Sequence, residues 1–161
     1  MANLLKQLES IDPFVVFDNL SVEIHIWRIL RDEIGDIKTW RLVYANSPAL
    51  KTWGFKSLEQ IEGKTADVIF GVGTTNHYLG VVKKIIAENA AHSFTDYFEP
   101  LDKHFKFTSI PFGDHFITTG NDITEYIKER QEIEQNNKEL VDTGRALVES
   151  KERFQQLYDS S

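Results

Sequence analysis

From residue 21 to residue 31 the chain reads SVEIHIWRILR, with Val22, Ile24 and Ile26 on one side and Glu23, His25 and Trp27 on the other. Alternation with a period of two predicts a strand. The turn EIGDIKT carries Gly35-Asp36 and leads into TWRLVYAN, residues 39–46, so the two runs predict a hairpin. The pattern then changes to short helical pieces in SPALKTWGFKSLEQIEGKTADVIF, punctuated by Gly54, Gly63 and then Gly71. Ser47 can cap the first piece, with Pro48 at its first helical position, and Ser57 opens the second. A longer helix is predicted over roughly 75–90, with Tyr78, Leu79, Val81, Val82, Ile85 and Ile86 as its apolar set. Three strands follow at 92–99, 104–110 and 115–123, joined by turns at 100–103 and at Gly113-Asp114. Two strands, several helices and three strands define an α+β fold: a five-stranded antiparallel sheet with its helices inserted between the second and third strands.

Both ends carry helical patterns. Residues 3–11 place Leu4, Leu5, Leu8 and Ile11 on one face, and Asp12-Pro13 ends that segment. A helix this short needs a surface to lie on. From Thr124 onward, Tyr126, Ile133, Leu140, Leu147 and Phe154 recur every seven residues, with Ile127, Val141 and Val148 one position later. A sustained heptad predicts a helix that pairs with another helix. The complementary row holds Arg130, Asn137, Gly144 and Lys151, so the expected parallel coiled coil is a weak one. At the junction, GNDITEYIKER, Asp122 and Glu125 have the spacing of a capping box, Thr124 is a competing cap, and Ile123 sits between them.

Composition narrows the function. A net charge of -7 argues against a nucleic-acid or anionic-membrane surface. The absence of cysteine excludes disulfides, thiol catalysis and Cys-ligated metal centres. No apolar run reaches the length of a membrane span, and the first residues lack the basic-then-apolar pattern of a signal peptide, so a soluble, cytoplasmic protein is expected. His25, His92, His104 and His115 fall on different strands without metal-ligand spacing. Gly71-Val72-Gly73 lacks the Lys-Ser/Thr of a phosphate loop. The last three strands are rich in aromatics: Phe94, Tyr97, Phe98, Phe105, Phe107, Phe112 and Phe116. These make either an ordinary core or an aromatic-walled pocket for a flat or apolar ligand. The candidate lining is Phe94, Phe105 and Phe107 from the strands, with Asn46, Trp53, Phe70, Tyr78 and Val82 from the helical side.

The Asp122-Ile123-Thr124 triplet before a charged helix resembles the C-terminal signature of PAS sensory domains. VYANSPALKTWGF resembles the PAS second strand and the short helix after it, and SLEQIEGKTADVIF resembles the next PAS segment. The resemblance covers roughly residues 17–129. It departs where relatives have Glu-Arg-Lys after the triplet and this chain has Glu125-Tyr126-Ile127. It implies three parts: an N-terminal helix in 1–16, a PAS domain in 17–123, and a coiled-coil linker helix in 124–161. The last of these resembles the lead-in to a further domain, as in a piece of a longer signalling protein.

The same resemblance implies a sensor of a small ligand or cofactor. Its signal would pass through Asp122, Ile123 and Thr124 to a C-terminal helix and an output module, a histidine kinase or a diguanylate cyclase. It implies a homodimer through the N-terminal helix and the coiled coil, with the short N-terminal helix on the outer sheet face. Photosensors of the light-oxygen-voltage (LOV) type and those with a cinnamoyl chromophore each need a cysteine, which is absent. Haem would need a histidine on the long helix, for which His77 is the candidate. His77 lies in the first turn beside a glycine-rich loop, and no Arg on the last strands is placed for propionates, so haem is not the expected cofactor. A ligand-free dimerisation and relay module is the alternative. An isomerase-like enzyme would need Asp96 as its base.

Overall fold

The computed structural model describes residues 6, 7 and 9–161. Of the helix expected at 3–11, residues 3–5 and 8, with Leu4, Leu5 and Leu8 of its apolar face, lie outside the described residues, while residues 6, 7 and 9 are helical. The first element with described bounds is a helix over Pro13–Asp18 (α1). Asp12 accepts a hydrogen bond from the Phe14 N–H at 2.9 Å, and Pro13 stands in the first turn, where a missing N–H costs nothing. The Asp-Pro pair that reads as a stop is therefore also a start.

The strands are β1 (Glu23–Arg31), β2 (Ile37–Ala45), β3 (His92–Phe98), β4 (Lys103–Phe112) and β5 (His115–Asp122). They form one antiparallel sheet in the order β2-β1-β5-β4-β3. Between β2 and β3 lie α2 (Ser47–Trp53), a 3-10 turn at Leu58–Gln60, α3 (Ala66–Phe70) and α4 (Thr74–Glu88). This is the predicted α+β architecture. The cap of α2 is Asn46 rather than Ser47. Its side chain accepts from the Ala49 N–H at 3.1 Å, while the Ser47 N–H and hydroxyl both bond to Asp18. Gly54 then ends the helix at φ 80, a conformation that suits glycine.

Because both faces of the sheet are covered at β1, which lies between β2 and β5, it is buried from Glu23 to Trp27 without a break. On the outer face, Phe14 and Phe17 of α1 pack on Tyr44, with ring centroids 4.6 and 6.1 Å apart. Tyr44 stands opposite Ile26 in the register. The cover on this face is thus α1, a few residues beyond the segment expected to supply it. On the inner face, Trp27, Trp40, Leu42, Ala49, Ile61, Val82 and Phe116 form the main core.

The chain divides after Asp122. The second unit is a single helix, α5 (Thr124–Asp159), of 36 residues and with no buried side chain. Ile133, Leu140, Leu147 and Phe154 are each more than half exposed along it. Its N-cap position is held by Ile123, not Asp122, and the Asp122 carboxylate lies 2.6 Å from Lys103 Nζ. Among the described residues, no helix is long and apolar enough to cross a membrane.

Candidate functional site

The inner face of the sheet is ordered in rows, because paired residues on antiparallel strands point to the same side. One row runs His25, Thr118, Ser109, His92; the next runs Glu23, Gly120, Phe107, Phe94; the third runs Asp122, Phe105, Asp96. Trp27 and Phe116 form a further pair. Over this floor lie Trp53 of α2, Phe70 of α3, and Tyr78 and Val82 of α4, and together they enclose a cavity of about 70 Å³.

Of the expected lining, Trp53, Phe70, Tyr78, Val82, Phe94, Phe105 and Phe107 border the cavity. Phe98 and Phe116 join them, whereas Tyr97 and Phe112 point outward and are nearly half exposed. Asn46 does not border it. Its amide is fully buried and taken up by the backbone: Oδ1 accepts from Ile24 and Ala49, and Nδ2 donates to Phe17 and Val22. It ties α1, β1 and α2 together. The room inside equals that of about two waters, so the aromatic rings fill most of the space they surround. Phe105 and Phe107 stack at 5.2 Å, and Phe70 meets Trp53 and Phe98 edge-on at 5.0 and 5.1 Å.

Several polar residues in this wall were not read from the sequence as site residues: Thr74, Ser109 and Thr118, which bring hydroxyls, and two titratable groups, Glu23 and His25. Glu23 is 5% exposed and His25 is 7% exposed. Trp27 Nε1–H donates to His25 Nδ1, which leaves the ring proton on Nε2. Burial lowers the imidazole to about 3, so the ring is neutral at ordinary pH. Burial raises the Glu23 carboxyl to about 7, with the Thr52 and Trp53 side chains beside it pulling the other way. Gly120 makes this packing possible. A Cβ there would lie 3.2 Å from Glu23 Oε2 and 3.2 Å from the Phe107 ring. Gly120→Ala is expected to cost about 1–2 kcal/mol through overpacking, read as a lower urea midpoint with unchanged m. An unchanged midpoint would mean the floor yields freely at this point.

Asp96, the candidate base, lies at the rim of the floor. Its Oδ2 accepts from the Tyr78 hydroxyl at 2.7 Å and lies 2.7 Å from His77 Nε2. Burial and this carboxylate together raise the Tyr78 phenol. His77 does not border the aromatic cavity. It faces a neighbouring open cleft with Gly71, Val72 and Gly73, and the side chains of Phe70, Thr74, Tyr78 and Phe98 line both spaces. The haem candidate is therefore directed away from the aromatic wall. Among the described residues, no group of three potential metal ligands comes together.

No protein-family model matches the chain. No curated protein matches it either. Solved structures do. An RNA-binding LOV receptor covers 85% of this chain at 18% identity and a TM-score of 0.55, and the chain spans 38% of that receptor's length. A domain of an HTR-like protein from Haloarcula marismortui covers 65% of this chain at 15% identity and a TM-score of 0.52, over 100% of its own length. The PAS domain of Bordetella pertussis BvgS covers 87% of this chain at 21% identity, with a TM-score of 0.43 that is too low to weigh in the assignment. The strand order, the inserted helices and the likeness to the first two structures define the PAS fold.

Proposed function

We propose that this is a sensory, signal-transducing PAS domain that takes a small ligand into its aromatic cavity. It then passes the change through a C-terminal helix to an output module. The observation that carries this reading is the pair Glu23 and His25, buried in a largely aromatic wall and bordering its cavity. Polar groups placed there cost folding energy that apolar side chains would not, and a binding partner is what they can gain. β5 runs into α5 through Asp122, Ile123 and Thr124, so a ligand that favours one arrangement of β5 would bias the helix. The exposed heptad residues of α5 support a homodimer as the working assembly. The output module would be a histidine kinase or a diguanylate cyclase in the same polypeptide.

Absorbance from the near ultraviolet to the red, and native mass spectrometry on the same sample, test ligand binding. A discrete mass excess without a coloured band, present on purification or after exposure to a metabolite mixture, is expected. A colourless protein of chain mass, unchanged after exposure to a metabolite mixture, would reject it. That result would favour a second reading, which the cavity of about 70 Å³ itself supports: a domain filled by its own rings that dimerises and relays signals. Truncation after Glu132 tests the helix. It should lower the dimer fraction in sedimentation at least tenfold while the unfolding transition of the domain persists. A full chain that is monomeric at high concentration would reject the coiled coil.

A further inference from the structure

The ligand site proposed above has a chemistry of its own, and the following rests on that reading. His25 is buried, borders the cavity, and uses Nδ1 to accept from Trp27. Its Nε2–H has no hydrogen-bond partner among the described residues, yet no fully occluded polar side-chain atom lacks one. The Nε2–H therefore borders open space, and the open space against His25 is the cavity. Glu23 stands two residues earlier on the same strand face, so the two side chains start about 7 Å apart. One wall thus presents a donor that needs an acceptor and, beside it, a carboxyl able to accept.

We propose that the cavity takes a small uncharged molecule of the amide or carboxylic-acid class, its carbonyl oxygen accepting from His25 Nε2–H and its N–H or O–H donating to the Glu23 carboxyl. Two hydrogen bonds of about 2.9 Å in series with the width of an amide bridge about 7 Å. Most of the remaining wall is aromatic, against which a planar group packs, with the hydroxyls of Ser109 and Thr118 in the row of His25. Size sets the scale. An apolar cavity of about 150 Å³ holds benzene, so about 70 Å³ admits a molecule of roughly three or four heavy atoms.

Competing ligand classes fit less well. No Lys or Arg borders the cavity, and the neutral imidazole supplies no charge, so an anion has no counterpart. An alkylammonium ion would suit the carboxylate and the ring faces but offers no acceptor to His25. A wholly apolar molecule would leave the His25 Nε2–H without an acceptor.

The test is a titration of the full 161-residue chain, uniformly labelled with 15N, with acetamide, methylammonium and xenon separately. For a ligand of four heavy atoms the dissociation constant is expected no tighter than about 40 micromolar, so millimolar concentrations are used. Acetamide should shift the ring signals of His25 and the indole N–H signals of Trp27 and Trp53, and methylammonium should not. Glu23→Gln, which keeps an acceptor oxygen, should hold acetamide within a few-fold, and His25→Leu should weaken it at least tenfold. Should His25→Leu fail to fold, the comparison of the three probes on the wild-type chain decides alone. Entry of xenon without acetamide overturns the ligand class and leaves the cavity as a site. Tighter binding of methylammonium, lost in Glu23→Gln, overturns it in favour of a cation. Exclusion of both xenon and acetamide overturns it together with the ligand-sensor reading.

Discussion

Asn46→Ala is expected to lower stability by about 4 kcal/mol. The amide is fully buried and holds the backbone N–H groups of Ile24 and Ala49 and the carbonyls of Phe17 and Val22 at 2.8–3.1 Å. Alanine removes every partner at once and leaves a polar void. Each stranded buried group costs about 1–3 kcal/mol. The bonds to Phe17 and Val22 are only part-buried, so water recovers some of the loss and places the sum near the lower end. Asn46→Asp keeps the acceptor and loses both donated bonds, so it should fall between alanine and wild type, at about 2–3 kcal/mol. Urea unfolding of the three proteins reads these values as shifts in midpoint at constant m. A loss below about 1 kcal/mol for Asn46→Ala would mean that the neighbouring backbone finds other partners, and that Asn46 does not organise the joint.

The strand and helix order could be read from the sequence because each element carries a clean period. The strand predicted over 21–31, the aromatic strands and the long helix from Thr124 are all present in the structure. What could not be read depends on which faces are covered. In SVEIHIW the apolar alternates, Ile24 and Ile26, suggest a single buried side. The sheet buries both, because α1 covers the outer face, and so Glu23 and His25 enter the cavity wall. No local signal announces α1 except the Asp12-Pro13 pair, which serves equally as a stop and a cap. Asn46 was expected in the pocket on the strength of its position. A buried amide has four hydrogen-bonding positions to fill, and backbone groups of Phe17, Val22, Ile24 and Ala49, three of them distant in sequence, fill them. Asp96 drew notice as a carboxylate on an aromatic strand. Its position opposite Phe105 brings it to the rim, where His77 and Tyr78 meet it, while Glu23 lies deeper behind a glycine that sequence spacing alone does not connect to it.

Stability should change with pH in opposite directions through the two buried polar residues, and the difference between variants isolates each. Glu23 holds its proton up to about pH 7 in the folded protein against an ordinary value of 4.5. Between those pH values the folded state binds more protons than the unfolded one, so the contribution falls as pH rises. The loss reaches roughly 3 kcal/mol by pH 7. His25 behaves inversely. Its folded-state value of about 3 lies below the ordinary 6.5, so the unfolded state takes the proton first as pH falls. That contribution is present above 6.5 and is lost towards pH 3, by roughly 4–5 kcal/mol. In the overlap, from 4.5 to 6.5, the two slopes oppose each other, and the wild-type profile should be nearly flat there as far as these residues set it. Above 6.5 only Glu23 acts and below 4.5 only His25 acts, so stability falls at both ends. Glu23→Gln should therefore gain on the wild type by roughly 3 kcal/mol between pH 4.5 and 7, and His25→Leu should gain as pH falls from 6.5. Subtracting wild-type from variant unfolding free energies at each pH removes the titration of surface carboxylates. A Glu23→Gln difference that stays constant across that range would show that the Glu23 carboxyl is solvated, and the buried polar pair would then be no guide to a ligand.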